Sequence, residues 1–264
     1  MPAACRRHDG SNLRQLSRAA RRRLRYDCRA NPVPKETQVV DIFDRLKTAA
    51  TADWTSYVEH DFVRQMGDGS LPEAAFQTYL VQDYLFLIQF ARAYALATYK
   101  SRNLADMRAA KAGLSAILDL EMDLHVRLCE RWGLSPADLE AAPEHQATVA
   151  YTRFVLDCGQ AGDLLDLHVA LAPCVIGYAE IGARLAAGLG PALAPHPYRD
   201  WIGEYAGEPY QQVARDARHH LDALAARAMT EARFSELAAL FGQASRLEAD
   251  FWQMGLEATA RAAK

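Results

Sequence analysis

Nowhere does this sequence alternate apolar and polar residues over a strand-length stretch bounded by turn residues, so nothing in it calls for a β-sheet. It lacks an apolar run approaching the roughly 20 residues that a membrane-spanning helix needs, which argues against a membrane partner. Cysteine is scarce and odd in number: Cys5, Cys28, Cys129, Cys158 and Cys174 include no C-x-x-C or other metal-ligand spacing, and no apolar signal segment precedes them. That usage fits a reducing compartment, so a cytoplasmic location without disulfides or a metal site is expected. Glycine and proline, 15 and 11 of 264 residues, are too few for a collagen-like or low-complexity chain.

What is present is the ordinary globular balance of 50% hydrophobic and 24% charged residues. A chain of 264 residues stands near the upper limit for one hydrophobic core, which points to a single large domain. The net charge of −3 hides an asymmetry: residues 1–31 hold nine Arg against two Asp, a charge of +7, and the remainder carries −10. An acidic body repels phosphate backbones, so no nucleic-acid partner is expected of it. Residues 1–38 read as an Arg-rich, disordered tail or a start assigned too early, and residues 39–264 as the folded domain.

From residue 39 onward the apolar residues recur at three and four, which predicts an all-α fold. Helices are expected at 39–66, 70–99, 104–132, 146–158, 163–189, 208–226 and 231–260, with a short one after "GLSPADL". Gly67 and Gly69 supply a left-handed stop for the first, and Ser70 with Glu73 reads as a capping box for the second. That second helix is apolar on nearly every face, which places it at the centre of the bundle. Pro173 inside the fifth should kink it one turn before Cys174.

Chemistry-bearing side chains sit on these helices at informative spacings. Cys174, Tyr178 and Ile181 fall on one face at i, i+4 and i+7, with Glu180 pointing elsewhere. Asp83 and Phe86 are neighbours on the most apolar helix, where a carboxylate is costly unless paired or bound to a ligand. Glu248 stands among Leu247, Phe251 and Trp252, surroundings that raise a carboxyl pKa and suit a proton donor near neutrality. Tyr151 and Tyr205 add hydroxyls of the kind that need partners when buried.

The strings "GSLPEAAFQTYLVQDYLFL", "TVAYTRFV", "LAPCVIGYAEIG", "YRDWIGEYAG" and "EADFWQMG", in this order, resemble the TenA family of thiaminase II type aminopyrimidine aminohydrolases. The resemblance runs from about residue 41 to 257. It implies a haem-oxygenase-like helical bundle without haem or other cofactor, a homotetramer, and a small pyrimidine as partner. It further implies that Cys174 is the nucleophile adding to the pyrimidine ring and that Glu248 is the acid/base at the leaving group. Asp83 would grip the ring nitrogen and exocyclic amine, Phe86 would stack on the ring, and Tyr151, Tyr178 and Tyr205 would supply the surrounding hydroxyls. The implied reaction hydrolyses an aminomethyl-aminopyrimidine, or thiamine itself, to the hydroxymethyl-pyrimidine in thiamine salvage.

Two rival readings come from the same residues. Glu121 with His125 and Asp216 with His220 are i, i+4 pairs of the kind that hold two irons in helical-bundle oxidases, with His168 and His219 as further material. A non-catalytic helical regulator is the other, and it would not require Cys174 and Glu248 to face one site.

Overall fold

The computed structural model describes residues 41–262, with side chains to residue 258. The Arg-rich tail, 1–38, lies outside the described residues. Among the described residues every element is helical, as the apolar periodicity predicts.

The expected first helix is three: α1 (Ile42–Ala49), α2 (Thr51–Val58) and α3 (Asp61–Asp68). No Gly or Pro marks the breaks. The second is made by a side chain, because His60 Nδ1 accepts the Phe62 N–H and caps α3. Gly69, at φ 80°, closes α3 in the left-handed region. The long helix α4 (Glu73–Lys100) then begins without the expected capping box. A cap at Ser70 would make Leu71 the first helical residue, and the following Pro72 disfavours helical dihedrals there. Pro72 therefore occupies the N-cap position, and Glu73 instead accepts the Trp132 indole N–H at 2.8 Å.

The expected helix over 104–132 is α5 (Leu104–Ala116), a π-helical turn at Ile117–Glu121, and α6 (Met122–Cys129), followed by a 3₁₀ turn. After α7 (Pro136–Ala141) come α8 (Gln146–Ala161) and α9 (Leu164–Leu189), which is capped by Asp163 and runs through Pro173 without interruption. α10 (Arg199–Ala206), α11 (Glu208–Ala228) and α12 (Glu231–Ala262) complete the chain. α10 occupies a stretch expected as loop.

Packing follows from which helices carry the broadest apolar surfaces. α4, α8, α9 and α12 contact one another and form the core. α5 and α6 lie on α4, α10 and α11 on α9, and α2 on α12. The segment Leu164–Leu193 is by length and composition apolar enough to cross a bilayer, contrary to the sequence expectation, but 83% of its most apolar stretch is buried inside the fold. Its hydrophobicity is spent on packing, at roughly 1.5–3 kcal/mol for each large side chain fully buried.

Candidate active site

The four core helices, together with the π turn, α2, α6 and α10, bring buried acids, a thiol and phenols together. Asp83 on α4 is 4% exposed, and its Oδ2 accepts from the Tyr79 hydroxyl at 2.7 Å and lies 2.6 Å from His125 Nε2. Tyr79 is one helical turn before Asp83, so α4 supplies both partners of that bond. Trp201 of α10 donates its indole N–H to the same phenol at 3.2 Å. His125 Nδ1 lies 2.7 Å from the Glu121 carbonyl, which can only accept, so Nδ1 carries a proton. Burial alone would lower the His125 imidazole, but the Asp83 carboxylate beside it prevails and holds its pKa above the ordinary value.

The π turn carries Glu121. An extra residue per turn is a recurring feature of functional sites, and here it ends on a carboxyl buried in the core. Burial, then the charge of Asp83, raises the Glu121 pKa to about 8, although His125 and a hydrogen bond from Tyr205 at 3.4 Å work the other way. Glu248 on α12 is 1% exposed and accepts from the Tyr151 hydroxyl at 2.9 Å. Burial pushes Glu248 well above the usual carboxyl range despite that bond, and Asp83 pushes in the same direction. That shift favours the protonated form of Glu248.

Cys174 on α9 is 6% exposed. Burial raises its thiol well above the ordinary value, and the charges of Glu248, Glu121 and Asp83 raise it further in that order. The thiol and all three carboxyls therefore share one electrostatic neighbourhood, although they come from four segments of the chain. Tyr57 of α2 donates to the Pro173 carbonyl at 3.2 Å, tying the residue before the thiol to the opposite wall. Glu180 turns away to Lys47, 2.8 Å distant, as its helical phase predicts.

Aromatic rings fill the space between. Phe86 lies 5.0 Å from Tyr151 and 5.6 Å from Phe251. Tyr178 lies 5.1 Å from Tyr205 and 5.3 Å from Trp252. The Trp252 indole nitrogen is buried with no hydrogen-bond partner. Asp83, Glu248, Phe86, Tyr151, Tyr178 and Tyr205 thus fall in connected contacts, and Cys174 shares their electrostatic neighbourhood. Sequence reasoning missed Tyr79 and His125 as partners of Asp83, and Trp201 as the partner of Tyr79. The i, i+4 spacing of Tyr79 and Asp83 was the available signal, whereas His125 and Trp201 are brought in by tertiary packing.

The residues of the di-iron reading do not assemble. Among the described residues no three His, Cys, Asp or Glu side chains form a metal-binding group. Glu121 and His125 serve the acid cluster instead. Asp216 is exposed on α11 and accepts from Gln212, His219 is exposed, and His220 faces His168 rather than a carboxyl pair.

The chain is 40% identical over 202 residues to an aminopyrimidine aminohydrolase from Halalkalibacterium halodurans, covering 76% of this chain and 89% of that protein. A crystal structure described as a TenA family transcription regulator from Silicibacter sp. TM1040 is 44% identical, with a TM-score of 0.77 over 81% of this chain and 96% of that one. A more distant structure from Shewanella denitrificans, a domain with a haem oxygenase-like fold, has a TM-score of 0.62 at 13% identity over 83% of this chain and 93% of that one. The bundle is accordingly haem-oxygenase-like. With the TENA/THI-4/PQQC family model matching residues 48–258, the chain belongs to that family.

Proposed function

We propose that the protein is an aminopyrimidine aminohydrolase of the thiaminase II type, in which Cys174 is the nucleophile and Glu248 the proton donor to the leaving group. The observation that supports this best is the single buried neighbourhood of one thiol and three carboxyls lined by phenols and rings. The name of the H. halodurans relative agrees with it.

The chemistry follows from the protonation states. An aminopyrimidine methylene holds a poor leaving group, and direct displacement by water is slow. Adding sulfur to the ring lets ring electrons expel the leaving group once a proton reaches its nitrogen. Glu248, kept protonated by burial, is the donor. Water then adds at the methylene as Glu248 takes back a proton, and rearomatisation breaks the C–S bond and releases the hydroxymethyl-pyrimidine. The free enzyme holds Cys174 as a thiol, so its proton must leave as the C–S bond forms. Glu121, whose pKa of about 8 leaves a minor ionised fraction at neutrality that grows toward pH 8, accepts that proton in its ionised form. Asp83, fixed by Tyr79 and His125, grips the ring nitrogen and exocyclic amine, and Phe86 with the tyrosines encloses the ring.

The test is hydrolysis of an aminomethyl-aminopyrimidine and of thiamine, compared side by side. Release of ammonia from the first, of thiazole from the second, or of both is expected. A protein that turns over neither while binding a specific DNA would support the regulator reading instead.

A further inference from the structure

Apart from the Cys174 neighbourhood, three rings that carry polar atoms, Tyr94, His168 and His220, line one cavity. It has a volume of about 370 Å³, lies between α5, α9 and α11, and has Tyr94 of α4 as a wall. That is within the size range of small-ligand sites. Tyr94 is 6% exposed, and its hydroxyl bonds nothing among the described residues. His168 is 8% exposed, and its Nδ1 lies 2.8 Å from the Leu164 carbonyl. That nitrogen therefore carries the proton, and Nε2 is left as an acceptor. His220 Nε2 is buried and without a partner among the described residues. The three rings stand edge to face in sequence, Tyr94 to His168 at 6.3 Å and His168 to His220 at 4.8 Å.

A buried polar group without a partner is costly, so the orphaned His220 Nε2, with the Tyr94 hydroxyl and His168 Nε2 beside it, is an arrangement that a ligand would satisfy. The wall is also built for close approach. Any Cβ at Gly113 would collide with the Tyr94 ring, so only glycine lets α5 lie this near it. Burial, followed by the charges of Cys174 and Glu121, raises the Tyr94 hydroxyl above its ordinary value.

The lining specifies the chemistry of an occupant. Ala109, Ala112, Val213 and Ala217 offer small apolar surfaces suited to a flat ring. Burial and the neighbouring His220 hold His168 near pKa 4, so it is neutral around pH 7 and attracts no anion. Arg108 and Asp216 oppose each other in sign. We infer that this cavity is a second small-molecule site, which takes an uncharged heteroaromatic ring bearing a hydroxyl: the hydroxyl donates to His168 Nε2, and Tyr94 donates to an acceptor on the ligand. Hydroxyalkyl azoles have that chemistry, and the proposed reaction releases one from a two-ring substrate. Only this choice of azole rests on the proposed function; the site does not.

Calorimetric titration of the full chain with hydroxyethyl-methylthiazole tests it. One equivalent should bind the wild type, and affinity should fall by about tenfold or more both in Ala112→Trp, which fills the cavity from an exposed position on its rim, and in His168→Phe, which removes the acceptor but keeps the packing. Hydrolysis of the one-ring aminopyrimidine should stay within about twofold in both variants, since neither residue touches the Cys174 site. Equal affinity in all three proteins, or no binding to the wild type, overturns the inference. Absence of hydrolysis by the wild type would overturn the proposed function alone, leaving the titration to judge the cavity.

Discussion

A thiol beside three carboxyls is a poor thiolate, and Cys174 illustrates what a substrate has to contribute to its own activation. The raised thiol and the retained proton on Glu248 are the same electrostatic fact seen at two atoms. Asp83→Asn keeps the shape and the Tyr79 bond while removing charge, and substrate affinity should drop by roughly 1.5–3 kcal/mol, the range for a charged hydrogen bond, as read by titration. Glu248→Gln should still bind substrate but lose turnover, because an amide delivers no proton. Glu121 gives a pH-dependent prediction with a definite sign. Its folded pKa of about 8 lies above the unfolded value of 4.5, so the folded state holds the extra proton and loses stability as pH rises between those values. Glu121→Gln should therefore melt higher than wild type at pH 8, by on the order of a few kcal/mol, with the gain shrinking toward pH 4.5. A gain that does not change with pH would show that Glu121 titrates normally. Asp83 and Glu248 were legible in the sequence as acids on apolar helices. His125 was legible only as one of an i, i+4 pair with Glu121, and nothing local says that it faces Asp83, 42 residues away.

At the scale of elements, the helix that presents Cys174 depends on how it begins. Asp163 accepts from the backbone of Leu165 and Asp166 and is held by Arg233, which depresses its pKa to about 2. Asp163→Ala should cost about 1–2 kcal/mol of stability at neutral pH. The depressed pKa means that this contribution is present above the unfolded value and is lost as pH falls through about 2, so the wild-type and variant melting curves should converge in acid. Helices with long periodic apolar faces, such as α4, α8, α9 and α12, were readable from sequence to within a few residues. The breaks between α1, α2 and α3 were not: a His60 side-chain cap replaces the Gly or Pro that usually marks a boundary at the second, and no side chain caps the first. The Ser70 capping box failed through Pro72, a steric rule that a pattern match omits. The π turn is equally silent in sequence: Ile117–Glu121 keeps helical composition while shifting the phase of every residue after it.

For the molecule as a whole, the acidic body and the apolar side chains left on its surface bear on its partners. Tyr99, Leu104, Leu118 and Leu120 are exposed by 41–86%. We propose a homotetramer, as the TenA resemblance implies, and sedimentation equilibrium should return four times 29.3 kDa. A monomer at micromolar concentration would contradict it. No sequence pattern announces the central arrangement, since the thiol, Asp83, Glu121 and Glu248 lie on separate elements and meet only when the four core helices close. The most direct test of that arrangement is the kcat of Cys174→Ser on an aminomethyl-aminopyrimidine, measured with the substrate dissociation constant. A hydroxyl far harder to ionise than a thiol should lower kcat by about a hundredfold or more while leaving binding nearly unchanged. A variant that keeps most of its kcat would mean that Cys174 is packing and that water, activated by a carboxyl, performs the displacement.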